Sequence, residues 1–398
     1  MADAVAPGSS SPLSGRIVHP AGEGIVYGPG TARRDLPRLL AQCGVARPFV
    51  VTTKSVVRSG LLDEVRDVLG GTVVGVYDGS REHTPEPVVL EGAALARRAG
   101  ADGLVSLGGS SVVDLTKGIA MVLAEGDDLS RLRLHFRAGE PGGNRRPVLD
   151  APKLPHVALP TTLSGAEFTG AAGITDPVDG VKQLYRDTKL APRWVVLDPE
   201  LARATPAALW AGTGMKALAD TVEVLCSRRA TPLSDAVAAA ALAMLVADLA
   251  PATADPDDLA ARGRCQFAVG MALPQLAMVG VGLVAGLRHQ LGGGLGVAHG
   301  EASTIVLPHV LRWNRPFCEP ALTRAAVAAG VDGPDGLVAA IEALTVRLGL
   351  PARLRDVGVA AEALPAVADH VLGDGAVATN PRPVTDAAEV LEVLRAAW

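Results

Sequence analysis

Apolar and polar residues follow two different patterns along the chain, and the pattern changes near residue 200. In the first half, short apolar runs alternate with stretches of helical periodicity such as residues 88–99 and 112–123. This alternation is typical of βαβ units and a mainly parallel sheet. The predicted strands cover residues 49–52, 72–77, 103–107, 156–159 and 194–197. We therefore expect residues 15–199 to form an α/β domain.

Long helical periods rich in Ala, Leu and Val dominate the second half. Helix-length segments cover residues 233–249, 257–272, 322–329, 334–348 and 385–397. We expect residues 200–398 to form an all-helical domain, with the active site in the cleft between the two domains. Residues 1–14 are predicted to be a disordered leader, and residues 131–152, dense in Arg, Gly and Pro, a surface excursion.

The composition narrows the class of protein. The chain has 398 residues, of which 48% are hydrophobic and 20% charged, as is typical of a soluble globular protein with two domains. A net charge of -5 and 3% aromatic residues provide neither a basic footprint nor a stacking platform for nucleic acid. We therefore expect a small-molecule substrate and no nucleic-acid partner.

The N-terminal segment lacks the basic and apolar regions of a signal peptide. The cysteines Cys43, Cys226, Cys265 and Cys318 have no paired spacing and are predicted to be buried thiols in a reducing compartment. Residues 267–286 are uncharged and long enough to span a membrane, but they contain Pro274, Gln275 and four glycines. They are predicted to form a buried core helix or two short ones. We expect a cytoplasmic protein without membrane contact.

A glycine-containing turn follows the predicted strand at residues 103–107. Gly108, Gly109 and Ser110 lead from this strand into a helix that contains Asp114. Glycines at such a turn let the backbone approach a pyrophosphate, and the helix N terminus offers unpaired amides and a partial positive charge. The alternative is a tight turn that requires positive φ and binds no ligand.

A second loop places hydroxyl groups after the strand at residues 156–159. It begins with Pro160-Thr161-Thr162 and continues to Thr169. Open α/β sheets bind ligands at the carboxyl ends of their strands, so these hydroxyls are predicted to donate to phosphate or ribose oxygens. The alternative is a Thr-rich loop that caps a helix.

Together these loops resemble the glycine-rich and Pro-Thr-Thr loops of the iron-containing alcohol dehydrogenase family. The resemblance implies an α/β plus all-α, dehydroquinate synthase-like fold, in which a Rossmann-like parallel sheet precedes a helical domain. It also implies a homodimer. Five further motifs narrow it to the maleylacetate reductase branch: Glu82-His83-Thr84-Pro85, Gly173-Ile174-Thr175-Asp176, Lys182 with Arg186-Asp187, Leu307-Pro308-His309-Val310, and Asn380-Pro381-Arg382-Pro383-Val384-Thr385.

The resemblance also implies a set of residues that bind NADH or NADPH. Ser110 replaces a usual third glycine of the loop. Thr53 stands where many relatives have an Asp that binds the adenosine ribose and repels a 2′-phosphate, so NADPH is not expected to be rejected. The implied cofactor-binding residues are Thr53, Gly108, Gly109, Ser110, Asp114, Thr161, Thr162, Thr169 and Lys182.

The implied reaction centre lacks most of its usual metal ligands. In metal-dependent relatives the positions of Lys216, Asp220, Ala285 and His299 bind Fe or Zn, and that of His289 is a proton-relay His. A charged Lys cannot coordinate a metal ion, so we expect none. We hypothesise that Lys216 replaces the metal as the cation that stabilises negative charge, that Asp220 one turn away holds it, and that His289 and His299 donate or relay the proton. The alternative for Lys216 and Asp220 is an ordinary helical ion pair.

The expected function is a metal-independent NAD(P)H-dependent oxidoreductase, similar to maleylacetate reductases. It would transfer hydride to a C=C or C=O bond of a small oxygenated or carboxylated substrate, with His83 and Arg186 as substrate-binding candidates. Two alternatives remain open from the residues. The scaffold could serve a non-redox lyase, aldol or cyclisation reaction, or it could bind a cofactor without catalysis.

Overall fold

The computed structural model describes residues 15–17, 22–134, 147–178, 180 and 182–398. Its strands are β1 (Gly15–Ile17), β2 (Gly24–Tyr27), β3 (Pro48–Val51), β4 (Gly75–Tyr77), β5 (Gly103–Gly108), β6 (His156–Pro160), β7 (Ala171–Thr175), β8 (Lys182–Arg186) and β9 (Trp194–Leu197). The helices among these strands are α1 (Thr31–Gln42), α2 (Lys54–Arg58), α3 (Leu61–Leu69), α4 (Glu86–Ala99) and α5 (Ser110–Glu125).

Helices alone follow β9. They are α6 (Pro199–Ala202), α7 (Ala207–Cys226), α8 (Pro232–Ala254), α9 (Leu259–Val279), α10 (Leu283–Leu295), α11 (His299–Ala328), α12 (Gly333–Arg347), α13 (Leu364–Val371) and α14 (Ala387–Ala397). The predicted α/β plus all-α fold class is thus confirmed. The exact domain boundary stays a prediction.

One sheet organises the first half, in the strand order β1-β2-β9-β6-β5-β3-β4. β1 pairs antiparallel with β2, and all other neighbours are parallel. From β3 the chain passes outward to β4 and then returns to the other side of β3 as β5. This reversal makes the gap between β3 and β5 a topological switch point, where open α/β sheets bind ligands beyond the carboxyl ends of their strands.

Both faces of the sheet are covered by helices. The side chains on both faces of each strand are therefore buried, and the strands are continuous apolar runs in the sequence. Val50 packs in a cluster with side chains of α1 and α3. Its neighbours Phe49 and Val51 pack on the opposite face with side chains of α4 and α5. Successive residues of a strand point to opposite faces, so each apolar run fills two layers of core.

The uncharged stretch at residues 267–286 is divided between two helices. α9 ends at Val279, α10 begins at Leu283, and the two helices meet at 98°. The prediction of a core helix or two short ones is therefore resolved as two helices. α8 is long and apolar enough to span a membrane by length and composition, but it packs between α7 and α9.

The four cysteines are buried and free, as predicted. All five predicted strands are present, although β4 begins only at Gly75 because residues 70–72 form a 3-10 helix. The antiparallel hairpin of β7 and β8 was not predicted. The leader at residues 1–14 and residues 135–146 of the predicted surface excursion lie outside the described residues.

Candidate active site

A cleft of about 600 Å³ opens at the switch point of the sheet. Such a volume falls within the range of small-molecule and cofactor sites. Five of the predicted cofactor-binding residues contribute to its wall, and they come from the ends of three parallel strands: Thr53 after β3, Gly109 and Ser110 after β5, and Thr161 and Thr162 after β6. The topology thus brings together residues that are more than a hundred positions apart in sequence.

The turn after β5 has the geometry that a phosphate loop requires. Gly108 has a φ of 151°, and a Cβ atom there would lie 2.7 Å from Val112 Cγ2. Gly109 precedes the first turn of α5 and makes no side-chain cap, so the first amides of this 16-residue helix have no side-chain acceptor at that position. The Thr161 amide donates to the Gly108 carbonyl at 3.1 Å, which holds the two loops together.

Asp114 and Thr169 do not line this cleft. Asp114 accepts a hydrogen bond from the Gly173 amide at 3.2 Å and lies 3.8 Å from the ammonium of Lys117. Lys117 is fully buried and donates to the carbonyls of Ala166 and Ala171, both at 2.7 Å, and its Nζ lies 3.5 Å from Thr169 Oγ1. In this structure these residues tie α5 to the Thr-rich loop and to β7, and their direct cofactor contact stays a prediction.

Lys216 lies one turn beyond Thr213, a residue of the cleft wall. Its ammonium is 2.6 Å from Asp220 Oδ2 and donates to the Ser164 carbonyl at 3.0 Å. Asp220 is completely buried, and its other oxygen, Oδ1, accepts from Arg288 at 2.8 Å. Two cations therefore share one carboxylate.

This sharing fixes the charge state of Asp220. Burial alone would raise the pKa of its carboxyl, but the charges of Arg288 and Lys216 outweigh burial and hold the pKa below its ordinary value. Asp220 is therefore ionised, and the cluster of Lys216, Asp220 and Arg288 retains one unbalanced positive charge.

The donor set at the position of the family's metal does not fit a divalent cation. Lys216 has no lone pair when charged, Ala285 has no ligand atom, and Asp220 is already engaged by two cations. Catalytic zinc is typically held by three protein ligands. Within the described part of the chain, no group of three or more His, Cys, Asp or Glu side chains is placed to hold a metal ion.

Glu223, one turn beyond Asp220 on α7, fixes the start of α10. Its Oε1 accepts from the Val284 amide at 2.7 Å and its Oε2 from the Ala285 amide at 3.3 Å. Burial, reinforced by the charge of Asp220, raises the pKa of this carboxyl to about 7. Asp220 and Glu223 thus connect α7 to two successive turns of α10.

His299 and His289 lie side by side, with ring centroids 6.4 Å apart. Burial, together with the positive charges of Arg288, Lys182 and other nearby cations, lowers the pKa of His299 to about 2. The His299 ring is therefore neutral at physiological pH. The His289 side chain is 44% exposed, and its Nδ1 lies 3.0 Å from Asp374 Oδ2.

The remaining candidates lie on or beside the hairpin of β7 and β8. Lys182 begins β8 opposite Thr175, while Arg186 ends it opposite Ala171, and both are exposed. The backbone carbonyl of His83 accepts from Thr175 Oγ1 at 2.7 Å. His83 thus belongs to the Lys182 end of the hairpin, and Arg186 is four residues, about 13 Å, further along β8. The two substrate-binding candidates do not form one site with each other.

Known families match both halves of the chain. The family model described as "Iron-containing alcohol dehydrogenase" matches residues 23–199. The family model described as "Fe-containing alcohol dehydrogenase family, C-terminal" matches residues 210–398. The chain belongs to the iron-containing alcohol dehydrogenase family. It is accordingly an oxidoreductase.

Individual relatives match this chain over most of its length. A maleylacetate reductase of Burkholderia cepacia is 32% identical over 92% of this chain and 94% of its own. A 4-hydroxybutyrate dehydrogenase of Cupriavidus necator is 35% identical over 86% and 90%. The crystal structure of maleylacetate reductase from Agrobacterium tumefaciens superposes with a TM-score of 0.79 at 26% identity, covering 98% of both chains. The predicted family and its maleylacetate reductase resemblance are confirmed.

Sequence reasoning missed three residues that contact the candidate site residues or the start of α10: Arg288, Glu223 and Asp374. Arg288 immediately precedes His289, but nothing in the local pattern indicates that its partner is 68 positions earlier. Glu223 continues the helical face of Lys216 and Asp220, a spacing that could have identified it.

Proposed function

We propose that this protein is a metal-independent reductase that uses NADPH or NADH and reduces a C=C or C=O bond of a small carboxylated substrate, as the name of its maleylacetate reductase relatives suggests. The observation that supports this most is the cluster of Lys216, Asp220 and Arg288 in place of a metal-binding set. We also propose a cytoplasmic homodimer. The four free, buried cysteines support the cytoplasm, and the family resemblance supports the homodimer.

Reduction of a carbonyl or enone builds negative charge on the substrate oxygen. A preorganised cation aimed at that oxygen stabilises the transition state without a metal. Arg288 occupies one oxygen of Asp220, so this carboxylate does not cancel the full charge of Lys216. The ammonium of Lys216, with 18% of its side chain exposed, is the cation that can meet the substrate.

The cleft at the switch point fits a nicotinamide dinucleotide, whose reduced form supplies a hydride when it is bound. The amides that follow Gly109 would hold its phosphates, and Thr161 and Thr162 would donate to phosphate or ribose oxygens. No carboxylate stands at Thr53 to repel a 2′-phosphate, which is why both NADPH and NADH are proposed.

We assign the role of proton donor to the substrate to His289. The neutral His299, with its pKa near 2, holds no extra proton at physiological pH and is better suited to donate a hydrogen bond from its ring. His289 is partly exposed and can exchange protons with solvent. Lys182, Lys216 and Arg288 also surround His299 with positive charge, which favours an anionic substrate.

A Lys216→Met variant tests the proposal. We expect kcat for NAD(P)H-dependent reduction of carboxylated enones or keto acids to fall by about 10²–10³-fold, the usual cost of losing one oxyanion-stabilising donor. Cofactor affinity, measured by fluorescence titration, should change little because Lys216 does not line the cleft wall.

Lys153→Met is the matched control. Lys153 is also a buried Lys paired with an acid, lying 2.5 Å from Glu125, but it precedes β6, at the end of that strand opposite to the cleft. Full activity in Lys216→Met would refute the role of this cation. Stoichiometric Zn or Fe in the purified, active protein would refute metal independence.

A further inference from the structure

A carboxylate is placed directly against the predicted proton donor. Asp374 Oδ2 lies 3.0 Å from His289 Nδ1 and 3.2 Å from Gln290 Nε2. Its other oxygen, Oδ1, accepts from the Ala376 amide at 2.9 Å and so caps the 3-10 helix Gly375–Thr379. Asp374 is held by three donors at once, and only 13% of its side chain is exposed.

These contacts determine which nitrogen of His289 carries hydrogen. Burial alone would raise the pKa of Asp374, but the hydrogen bond and charge of His289 and the Ala376 amide outweigh it and lower the pKa. An ionised carboxylate can only accept, so Nδ1 must donate. Nε2 is then the nitrogen that remains free to exchange a proton.

The other charges around the ring do not supply a second acceptor. His299 faces His289 from α11, and the positive charges of Lys182, Lys216 and Arg288 act on His299 from β8, α7 and α10. Of the charged groups that the structure places near His289, Asp374 is thus the anion that can balance an imidazolium.

We propose that Asp374 is the positioning residue of the proton donor: it accepts from His289 Nδ1, fixes the ring, and leaves Nε2 to protonate the substrate. This inference rests on the proposed reductase function. In the proton-transfer step the Nε2–H bond of the imidazolium breaks, the proton joins the reduced substrate, and the electron pair stays on the ring. The other hydrogen stays bound to Nδ1 and continues to donate to Asp374, and solvent restores the proton at Nε2.

The tautomer of His289 tests the inference without any substrate. Long-range ¹H–¹⁵N spectra distinguish protonated from unprotonated ring nitrogens, and a His289→Asn variant assigns the signal among the eight histidines of the chain. In the wild-type protein with a neutral His289 ring, Nδ1 should carry the hydrogen. In Asp374→Asn the amide can donate to Nδ1, so the hydrogen should move to Nε2. Asp374→Glu, which keeps a carboxylate, should retain the wild-type pattern.

Turnover provides the second readout. We expect Asp374→Asn to lower kcat by about tenfold or more, a part of the 10²–10⁴-fold that general acid catalysis contributes, with KM nearly unchanged. Asp374→Glu should recover much of this loss. Asp386→Asn is the matched control, because Asp386 caps α14 through the Ala388 amide in the same way but lies away from His289.

The outcomes separate this inference from the proposed function. An Nε2–H tautomer in the wild-type protein, or an unchanged tautomer in Asp374→Asn, overturns the role of Asp374 even if kcat falls. Such a result would mean that Asp374 only caps the 3-10 helix. If no carboxylated enone or keto acid is reduced, the proposed function fails, while the spectra still decide whether Asp374 sets the tautomer.

Discussion

At the scale of single residues, burial and neighbouring charges together decide the ionisation states in the site. His299 is neutral because it is desolvated among cations, whereas Asp220 is ionised although it is completely buried. The sequence predicted that Lys216 and Asp220 share a helix face, and their charged groups are in contact. It could not predict Arg288 as the second partner, because that contact depends on how α10 packs against α7. Ionisation states therefore follow only from the packed structure.

The effect of burial on ionisation can be tested at Glu167 by measuring the free energy of unfolding at different pH values. It is buried beside the Thr-rich loop, and burial raises its pKa from 4.5 to about 7. The folded protein then holds this proton more tightly than the unfolded chain. The protonated Glu167 therefore contributes to the free energy of unfolding. This contribution is fully present below pH 4.5 and is lost as the pH rises through 7.

We therefore expect Glu167→Gln to remove this pH dependence. The variant should gain stability relative to the wild-type protein between pH 5 and pH 8, by up to about 3 kcal/mol for a shift of this size. Denaturant unfolding at both pH values measures the difference. The same change at the exposed Glu362 should have no such effect. A constant difference between Glu167→Gln and the wild-type protein at the two pH values would contradict the assigned shift.

At the scale of elements, unbroken apolar runs predicted the structure well. The continuous apolar runs of β3, β5, β6 and β9 indicated buried parallel strands, and these were found. The hairpin of β7 and β8 was missed because its residues alternate only weakly and the segment is short of apolar side chains. Its position depends on contacts of the buried Lys117, which are not local in sequence.

The packing of α7 against α11 depends on a glycine pair. A Cβ atom on Gly300 would lie 2.6 Å from the backbone carbonyl of Gly212, so the two helices touch where His299 begins α11. Gly300→Ala should force them apart and cost about 1–3 kcal/mol, as overpacking does. Because His299 is adjacent, kcat should fall as well.

Gly294→Ala is the control for this change, measured by the same denaturant unfolding. Gly294 lies in α10 with no atom within 4 Å of its would-be Cβ, so alanine should be neutral or should stabilise the helix by about 0.5–1 kcal/mol. Equal stability of the two variants would mean that the helices are not in tight contact at Gly300.

At the scale of the whole molecule, the order of strands places the cleft. The sequence predicted the individual loops after β3, β5 and β6, but their convergence requires that the chain reverse direction in the sheet between β4 and β5. That reversal brings Thr53 and the glycine turn after β5 into the wall of one cleft, where we propose that the cofactor binds.

This choice can be altered at Thr53 without disturbing the fold. Thr53 caps α2 by accepting from the Val56 amide at 3.2 Å, and Asp and Asn cap helices equally well. The wall of the cleft carries three basic and two acidic side chains: Lys54, Arg58, Arg81, Asp78 and Glu82. Thr53→Asp adds a further negative charge, so it should repel a 2′-phosphate. We expect the ratio of NADPH to NADH affinity to fall by about tenfold or more, equivalent to about 1.4 kcal/mol, in fluorescence titrations of both cofactors. Thr53→Asn keeps the cap without the charge and should leave the ratio near its wild-type value. If both variants shift the ratio equally, charge is not the cause. If neither variant shifts it, the adenosine ribose does not lie beside Thr53.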